Sequence, residues 1–371
     1  MEDMIFVILF LLSFININIK GINIFFYDYM ELKNTNSVKG IFVWLIILSH
    51  YRNYYVTKNH YIYRKILNCL GQKMVSLFLF YSGFGIYYSH KKKGIHYTKT
   101  LPIKGFIIFI KSQLIIIIFF ITNLSLGIKT TLNNYLLSMI FKSNIGNSDW
   151  FAFTIISFYF YSFISFRFIK QKYFLGILLL NIICCFHIYF TYNYYYPNRM
   201  AAVDNTLCFL FGFYYCLLID YINFFFMKND ISYFGFLSLI IIIYYYYYTY
   251  KRRSIIIVSI TNILFSLIII IITMKVRFNN DFLNLLNSHS YSIYLLQRVV
   301  MRIIYYKKYI LHNELIRFFF EFITILFITS VFDKYTLFID KYFKRESSEI
   351  KFSFKLENVE EKISIINFNN I

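Results

Sequence analysis

Long apolar runs, broken by short joints rich in lysine and arginine, dominate this chain of 371 residues. A helix needs about 20 mostly apolar residues to cross the hydrocarbon of a bilayer, and it satisfies its backbone groups internally as it does so. Runs of about that length fall at 4–26, 38–54, 74–89, 103–124, 150–166, 173–191, 205–222, 231–249, 254–274, 287–306 and 314–333, about eleven in all. Only 2 prolines and 12 glycines punctuate the sequence, which favours continuous helices over a barrel of short strands. With 59% hydrophobic and 15% charged residues, too little polar surface remains for an ordinary globular protein. The expectation is an all-α, polytopic transmembrane helical bundle, a multi-pass integral membrane protein.

The chain divides by composition into residues 1–36, an additional N-terminal span and its connector, residues 37–340, a transmembrane core, and residues 341–371, a polar tail assigned to the cytoplasmic side. The opening "MEDMIFVILFLLSF" has acidic residues ahead of its apolar run and no small-residue cleavage site, so it reads as a retained span. "HKKKG" at 90–94, "RFIKQK" at 167–172, "KVR" at 275–277 and "KYFKR" at 341–345 share one side if the spans are right, and the positive-inside rule makes that side cytoplasmic. "KRR" at 251–253 and the bases between Arg52 and Lys73 lie opposite, so the bias is modest. Dense Ile, Asn, Lys, Phe and Tyr usage is what an AT-rich coding sequence produces, and runs such as "IIIYYYYYTY" at 241–250 carry no role of their own.

The formal charge of +20 has two readings: contact with anionic lipid headgroups, or a cytoplasmic site for a donor bearing several phosphates. The bases are scattered between apolar runs and form no stripe, which argues against nucleic acid. The five cysteines make no C-x-x-C pair and read as small buried hydrophobes. His289, His187 and His60 lie near span ends or in loops without metal-ligand spacing, so no metal is expected.

One run joins two ionisable groups. In "VKGIFVWLIILSH", residues 38–50, Lys39 and His50 are separated by eleven steps, about 1100° of helix or three turns plus about 20°. They share a face about 16 Å apart, about half the hydrocarbon thickness. A histidine at that depth is a functional candidate; the alternative is a snorkelling lysine and a histidine at a wet span end. Elsewhere, Ser82, Gly83 and Gly85 make a small patch that suits close helix packing or a thin face admitting a substrate. Asp149 and Trp150 suit a helix start and an interface. Arg199, on the expected outer side, suits an acidic sugar or a lipid headgroup. Ser290, Tyr294 and Gln297 follow i, i+4, i+7 spacing, sharing a face that either bridges helices or lines a cavity.

Five segments resemble one family. "VKGIFVWLIILSH" is similar to the opening of the type-three membrane acyltransferases, which transfer acyl groups to cell-envelope polysaccharides and other exported acceptors. "KMVSLFLFYSGFGIYYSHKKKG" resembles the family's "SGF" span with its basic turn, and "NIGNSDWFAFTIISFYFYSFISF" its "WF" span. "NRMAAVDNTLCFLFGFYYCLL" is similar to its arginine-then-"FxxG" span and "LNSHSYSIYLLQ" to its "SYSIYLLH" segment. They occur in the family's order over residues 38 to about 333. The resemblance implies an O-acyltransferase, an O-acetyltransferase in particular, of the bacterial cytoplasmic membrane. It implies acetyl-CoA or another acyl-CoA as donor substrate, no permanently bound cofactor, and an envelope glycan or lipid-linked sugar as acceptor; oligomeric state is left open. It makes His50 the general base, or a transient acyl carrier, and sets Lys39 to hold a phosphate or carbonyl of the donor. Ser82, Gly83, Trp150, Phe151, Arg199, Ser290, Tyr294 and Gln297 become candidate substrate contacts. Two positions depart from the family: Lys39 stands where arginine is frequent, and Gln297 where the motif closes on histidine. Gln297 hydrogen-bonds but carries no proton at neutral pH, which leaves proton transfer to His50. The competing classes are a transporter or flippase of lipid-linked sugars and a non-catalytic membrane scaffold.

Overall fold

The structure is a computed structural model, and it describes residues 2–55, 73–146, 149–167, 173–195, 200–249, 254–306 and 313–368. Arg199 and His60 lie outside these described residues. In chain order the elements are α1 (Glu2–Ser13), β1 (Ile17–Ile19), α2 (Leu32–Tyr55), α3 (Lys73–Lys93), α4 (Ile95–Thr98), α5 (Leu101–Ser125), α6 (Leu132–Met139), α7 (Trp150–Arg167), α8 (Tyr173–Tyr195), α9 (Met200–Leu217), α10 (Ile219–Phe226), α11 (Asp230–Thr249), α12 (Ile255–Thr273), β2 (Val276–Phe278), α13 (Asp281–Ser288), α14 (Ser290–Tyr306) and α15 (Glu314–Phe368). The protein is all-α apart from one small ladder, in which β1 and β2 pair antiparallel with Ile17 opposite Phe278.

Helix starts follow from local chemistry. Ser254 accepts a hydrogen bond from the Ile257 N–H at the head of α12, and Asn280 accepts from Phe282 and Leu283 at the head of α13; each supplies a partner to an otherwise orphaned donor. Pro102 sits in the first turn of α5, where its missing N–H costs nothing.

The run at 4–26 is not one helix. α1 ends at Ser13 after 12 residues, about 18 Å, which is short of a bilayer crossing. The reason lies in the polar residues beneath the apolar signal. Asn16 takes a positive φ of 59°, a conformation asparagine tolerates, and turns the chain into β1. Asn280 donates to the Leu12 carbonyl at 2.7 Å, and Trp44 Nε1 to Ser13 Oγ at 2.9 Å, so the helix end is tied to α2 and the β2–α13 joint. Two other runs are each split: 205–222 breaks between α9 and α10, and 287–306 between α13 and α14.

Six helical segments are long and apolar enough to cross a membrane: Ile95–Ser125, Phe174–Tyr194, Met200–Leu217, Asp230–Thr249, Ile255–Thr273 and Glu314–Phe343. With the family match reported below, they make this an integral membrane protein. α2, α3, α7 and α14 fall outside this set, and each buries part of its length against its neighbours. α2 contacts α3, α3 contacts α7, α7 packs on α5, α5 meets α14, and α14 returns to α2, closing a ring. The largest fully buried side chains include Trp44, Tyr51, Phe80, Phe158 and Phe213, all on α2, α3, α7 or α9.

Backbone-level contacts set two of these walls. A Cβ on Gly83 of α3 would lie 2.1 Å from the Phe209 carbonyl oxygen of α9, and one on Gly212 of α9 would lie 2.2 Å from the Phe80 carbonyl oxygen of α3. Each glycine admits the other helix's backbone. Gly40 does the same for α2 against α13, where an added Cβ would meet the Leu283 carbonyl oxygen at 2.1 Å.

Candidate active site

The helix ring lines a half-open cavity of about 560 Å3. α2 contributes Lys39, Val43 and Ile46 to its wall, a stripe at i, i+4, i+7. α3 adds Val75, Phe78, Tyr81 and Ser82; α7 adds Phe151, Ile155 and Tyr159; α13 and α14 add Asn287, Ser290, Tyr291, Ile293 and Tyr294. α5 brings Lys104 and Lys111 with Ile107 and Ile108, and α15 brings Asp340.

Charge is concentrated on part of this lining. Lys111 Nζ pairs with Asp340 Oδ2 at 2.9 Å. Lys104 Nζ stands 4.2 Å from the Tyr97 ring centroid. Lys39 Nζ stands 5.2 Å from the Tyr81 ring centroid, within cation–π reach, and has no carboxylate partner among the described residues. Three lysines against one carboxylate leave the cavity net positive. An uncompensated cation inside a bundle is expensive unless a ligand or water meets it. Tyr81 adds a second unsatisfied group: its side chain is buried, and its hydroxyl has no hydrogen-bond partner among the described residues.

The stripe on α2 continues to His50, one turn past Ile46, and that on α14 to Arg298, one turn past Tyr294. There the two side chains meet, Arg298 Nη2 lying 3.0 Å from His50 Nδ1. Ser37 Oγ of α2 donates to Asn284 Oδ1 of α13 at 2.9 Å, and further along α2 His50 meets Arg298 of α14. The α13–α14 run therefore lies beside α2 and goes in the same direction. The lysine end and the histidine end of the site are separated by eleven residues of α2, about 16 Å.

The other sequence-derived candidates divide. Ser82, Phe151, Ser290 and Tyr294 line the cavity with Lys39. Trp150 stands behind that lining, its ring 6.5 Å from Tyr294, whose ring also lies 5.2 Å from Phe151. Gly83 faces α9 and serves the backbone contact described above, so of the two readings of the small patch, packing is the one it takes. Gln297 is fully buried; its amide donates to the Tyr294 carbonyl at 3.2 Å, and its Oε1 has no partner among the described residues. His289 turns away from the cavity lining to Asp333 Oδ2 at 2.5 Å, and Ser292 Oγ donates to the other oxygen of the same carboxylate, tying α14 to α15. His187 Nδ1 contacts Tyr161 Oη at 3.0 Å.

Lys104, Lys111, Asp340, Tyr81, Tyr159 and Arg298 were not singled out in the sequence. Arg298 carried a usable signal, a guanidinium inside an apolar run. Lys111 carried the same signal, lying inside the run 103–124, whereas Lys104 at the edge of that run carried none.

A family model described as an acyltransferase domain matches residues 32–333. The chain belongs to the type-three acyltransferase family. That family makes it a membrane acyltransferase, and the matched region begins at the first residue of α2 and includes every cavity residue named above except Asp340. No curated protein and no solved structure matches the chain.

Proposed function

We propose that this acyltransferase moves an acyl group, acetyl in particular, from acyl-CoA to a hydroxyl of a cell-envelope glycan or lipid-linked sugar, within the bacterial cytoplasmic membrane. The observation that carries the reading is one cavity with a net-positive lysine end, an apolar middle and a histidine–arginine pair one turn beyond it. Lys39, Lys104 and Lys111 suit the phosphates of a coenzyme A ester. Val43, Ile46, Phe78 and Ile155 suit its less polar arm and acyl group. His50, one turn beyond the lining, is the transfer point in this reading, and Ser82, Phe151, Ser290 and Tyr294 shape the approach to it. Residues 37–340 form the acyltransferase core in this reading, with 1–36 and 341–371 as appendages to it.

The test is transfer of labelled acetyl from acetyl-CoA in proteoliposomes supplied with an extract of envelope glycan, comparing wild type with His50→Ala at equal amounts. Label should pass to glycan in wild type and fall about 10²–10³-fold in the variant, the usual cost of removing one preorganised polar group. Intact wild type that yields no labelled product would turn the reading toward transport of lipid-linked sugars.

A further inference from the structure

The contact between His50 and Arg298 admits only one arrangement of protons. Arg298 Nη2 lies 3.0 Å from His50 Nδ1. A guanidinium has only donors and stays charged, so Arg298 donates and Nδ1 accepts. A neutral imidazole carries one ring proton, and with Nδ1 accepting, that proton is on Nε2. A proton on Nδ1 would set two N–H groups against each other. The charged groups that act on His50 among the described residues are Arg298 from α14 and Arg52 from its own helix, both cations. No carboxylate stands by to favour the doubly protonated ring. His50 Nε2 itself makes no hydrogen bond to another described residue, and the side chain is only partly buried.

We propose that Arg298 is a positioning residue that locks His50 in the Nε2–H tautomer, so that His50 meets the transferring acyl group as a hydrogen-bond donor to its carbonyl oxygen. This rests on reading the cavity as the acyl site. In transfer from a thioester to a hydroxyl, the acceptor oxygen bonds to the acyl carbon. The carbon–sulfur bond breaks with its electron pair on sulfur, and the hydroxyl proton ends on that sulfur. His50 lends its N–H to the carbonyl oxygen while negative charge gathers there, and keeps its proton throughout. The general base expected from the sequence would need a free lone pair on the ring, and the one this tautomer offers is held by Arg298.

Full-length protein labelled with 15N-histidine in nanodiscs reads the two ring nitrogens directly. The chain has 7 histidines, and the His50 signals are those lost in His50→Gln. Wild type should show protonated Nε2 and an unprotonated, hydrogen-bonded Nδ1. Arg298→Met should give a mixture of tautomers with the remaining histidine signals in place, and Arg298→Lys should restore the wild-type form. A protonated Nδ1 in wild type, or an unchanged His50 in Arg298→Met, overturns the lock.

Turnover tests the donor role separately. His50→Gln keeps an amide N–H and should lose about tenfold in kcat, against about 10²–10³-fold for His50→Ala. Equal loss in both variants overturns the donor role while leaving acyl transfer standing. Wild type without transfer sinks the acyl reading and the donor role with it, and the ring signals still decide the lock.

Discussion

α11 and α3 are both helices of a membrane bundle, and they answer to different requirements. α11 runs from Asp230 to Thr249, is apolar enough to cross a membrane, and buries only Tyr233 and Ile240. α3 is outside the apolar set, buries residues along most of its length, and places Tyr81 and Ser82 in the cavity. An outer helix is chosen by lipid, which accepts almost any large apolar side chain. An inner helix is chosen by its neighbours, and there hydroxyls, rings and glycines are admitted because protein satisfies them. The hydropathy that identifies such a chain as a membrane protein is therefore weak on most of the helices that wall the cavity, α5 and α15 being the apolar helices that also reach it. α2, α3, α7 and α14, which wall most of the cavity, are all outside the strongly apolar set.

The contrast can be broken by one chemical change made in two places. Gly83→Ala puts a methyl 2.1 Å from the Phe209 carbonyl oxygen, and Gly212→Ala does the same 2.2 Å from Phe80. Either should destabilise the protein by about 1–3 kcal/mol, the cost of overpacking, read as a fall in thermal midpoint in detergent. Unchanged midpoints would mean that α3 and α9 do not meet backbone to backbone. Within the inner set, Lys39→Met should raise KM for acetyl-CoA about 10–100-fold, the worth of a hydrogen bond to a charged group, with kcat changed less. Lys39→Arg should restore most of the affinity, and an unchanged KM in Lys39→Met would take the donor away from that end of the cavity. The smallest effect belongs to the outer helix. Gly235 on α11 has open space where a Cβ would stand, so Gly235→Ala should stabilise by about 0.5–1 kcal/mol through helix propensity. Destabilisation there would show that α11 packs against something in the membrane.

Much of this was readable in the sequence, and the gaps have physical causes. Lys39 and His50 announced themselves because helical period alone puts them on one face. Ser82, Ser290 and Tyr294 stand out as small or polar residues at helical spacing in apolar runs, whereas Phe151 is marked only by the family resemblance. The run at 4–26 misled because average hydropathy does not register Asn16 in a left-handed turn or Asn280 reaching back to Leu12. Lys104, Lys111 and Asp340 stayed hidden for another reason. Lys104 and Asp340 read as ordinary span-end and tail charges, Lys111 is one lysine within an apolar run, and the three belong together only through the packing of α5 on α14 and α15. Arg298 was overshadowed by the adjacent Gln297, whose position in the motif drew the eye.

The glycine contacts also bear on how a bulky substrate gets in. α3 against α9 and α2 against α13 are joined where one chain's carbonyl rests in the space a side chain would fill, so neither pair can slide without breaking van der Waals contact along the backbone. α5 and α15 are joined by the ion pair of Lys111 and Asp340 and the edge contact of the Phe106 and Phe343 rings, both of them contacts between side chains. The chamber is thus built like a vise with two fixed jaws and one that turns on a latch, and traffic should pass on the side of the latch.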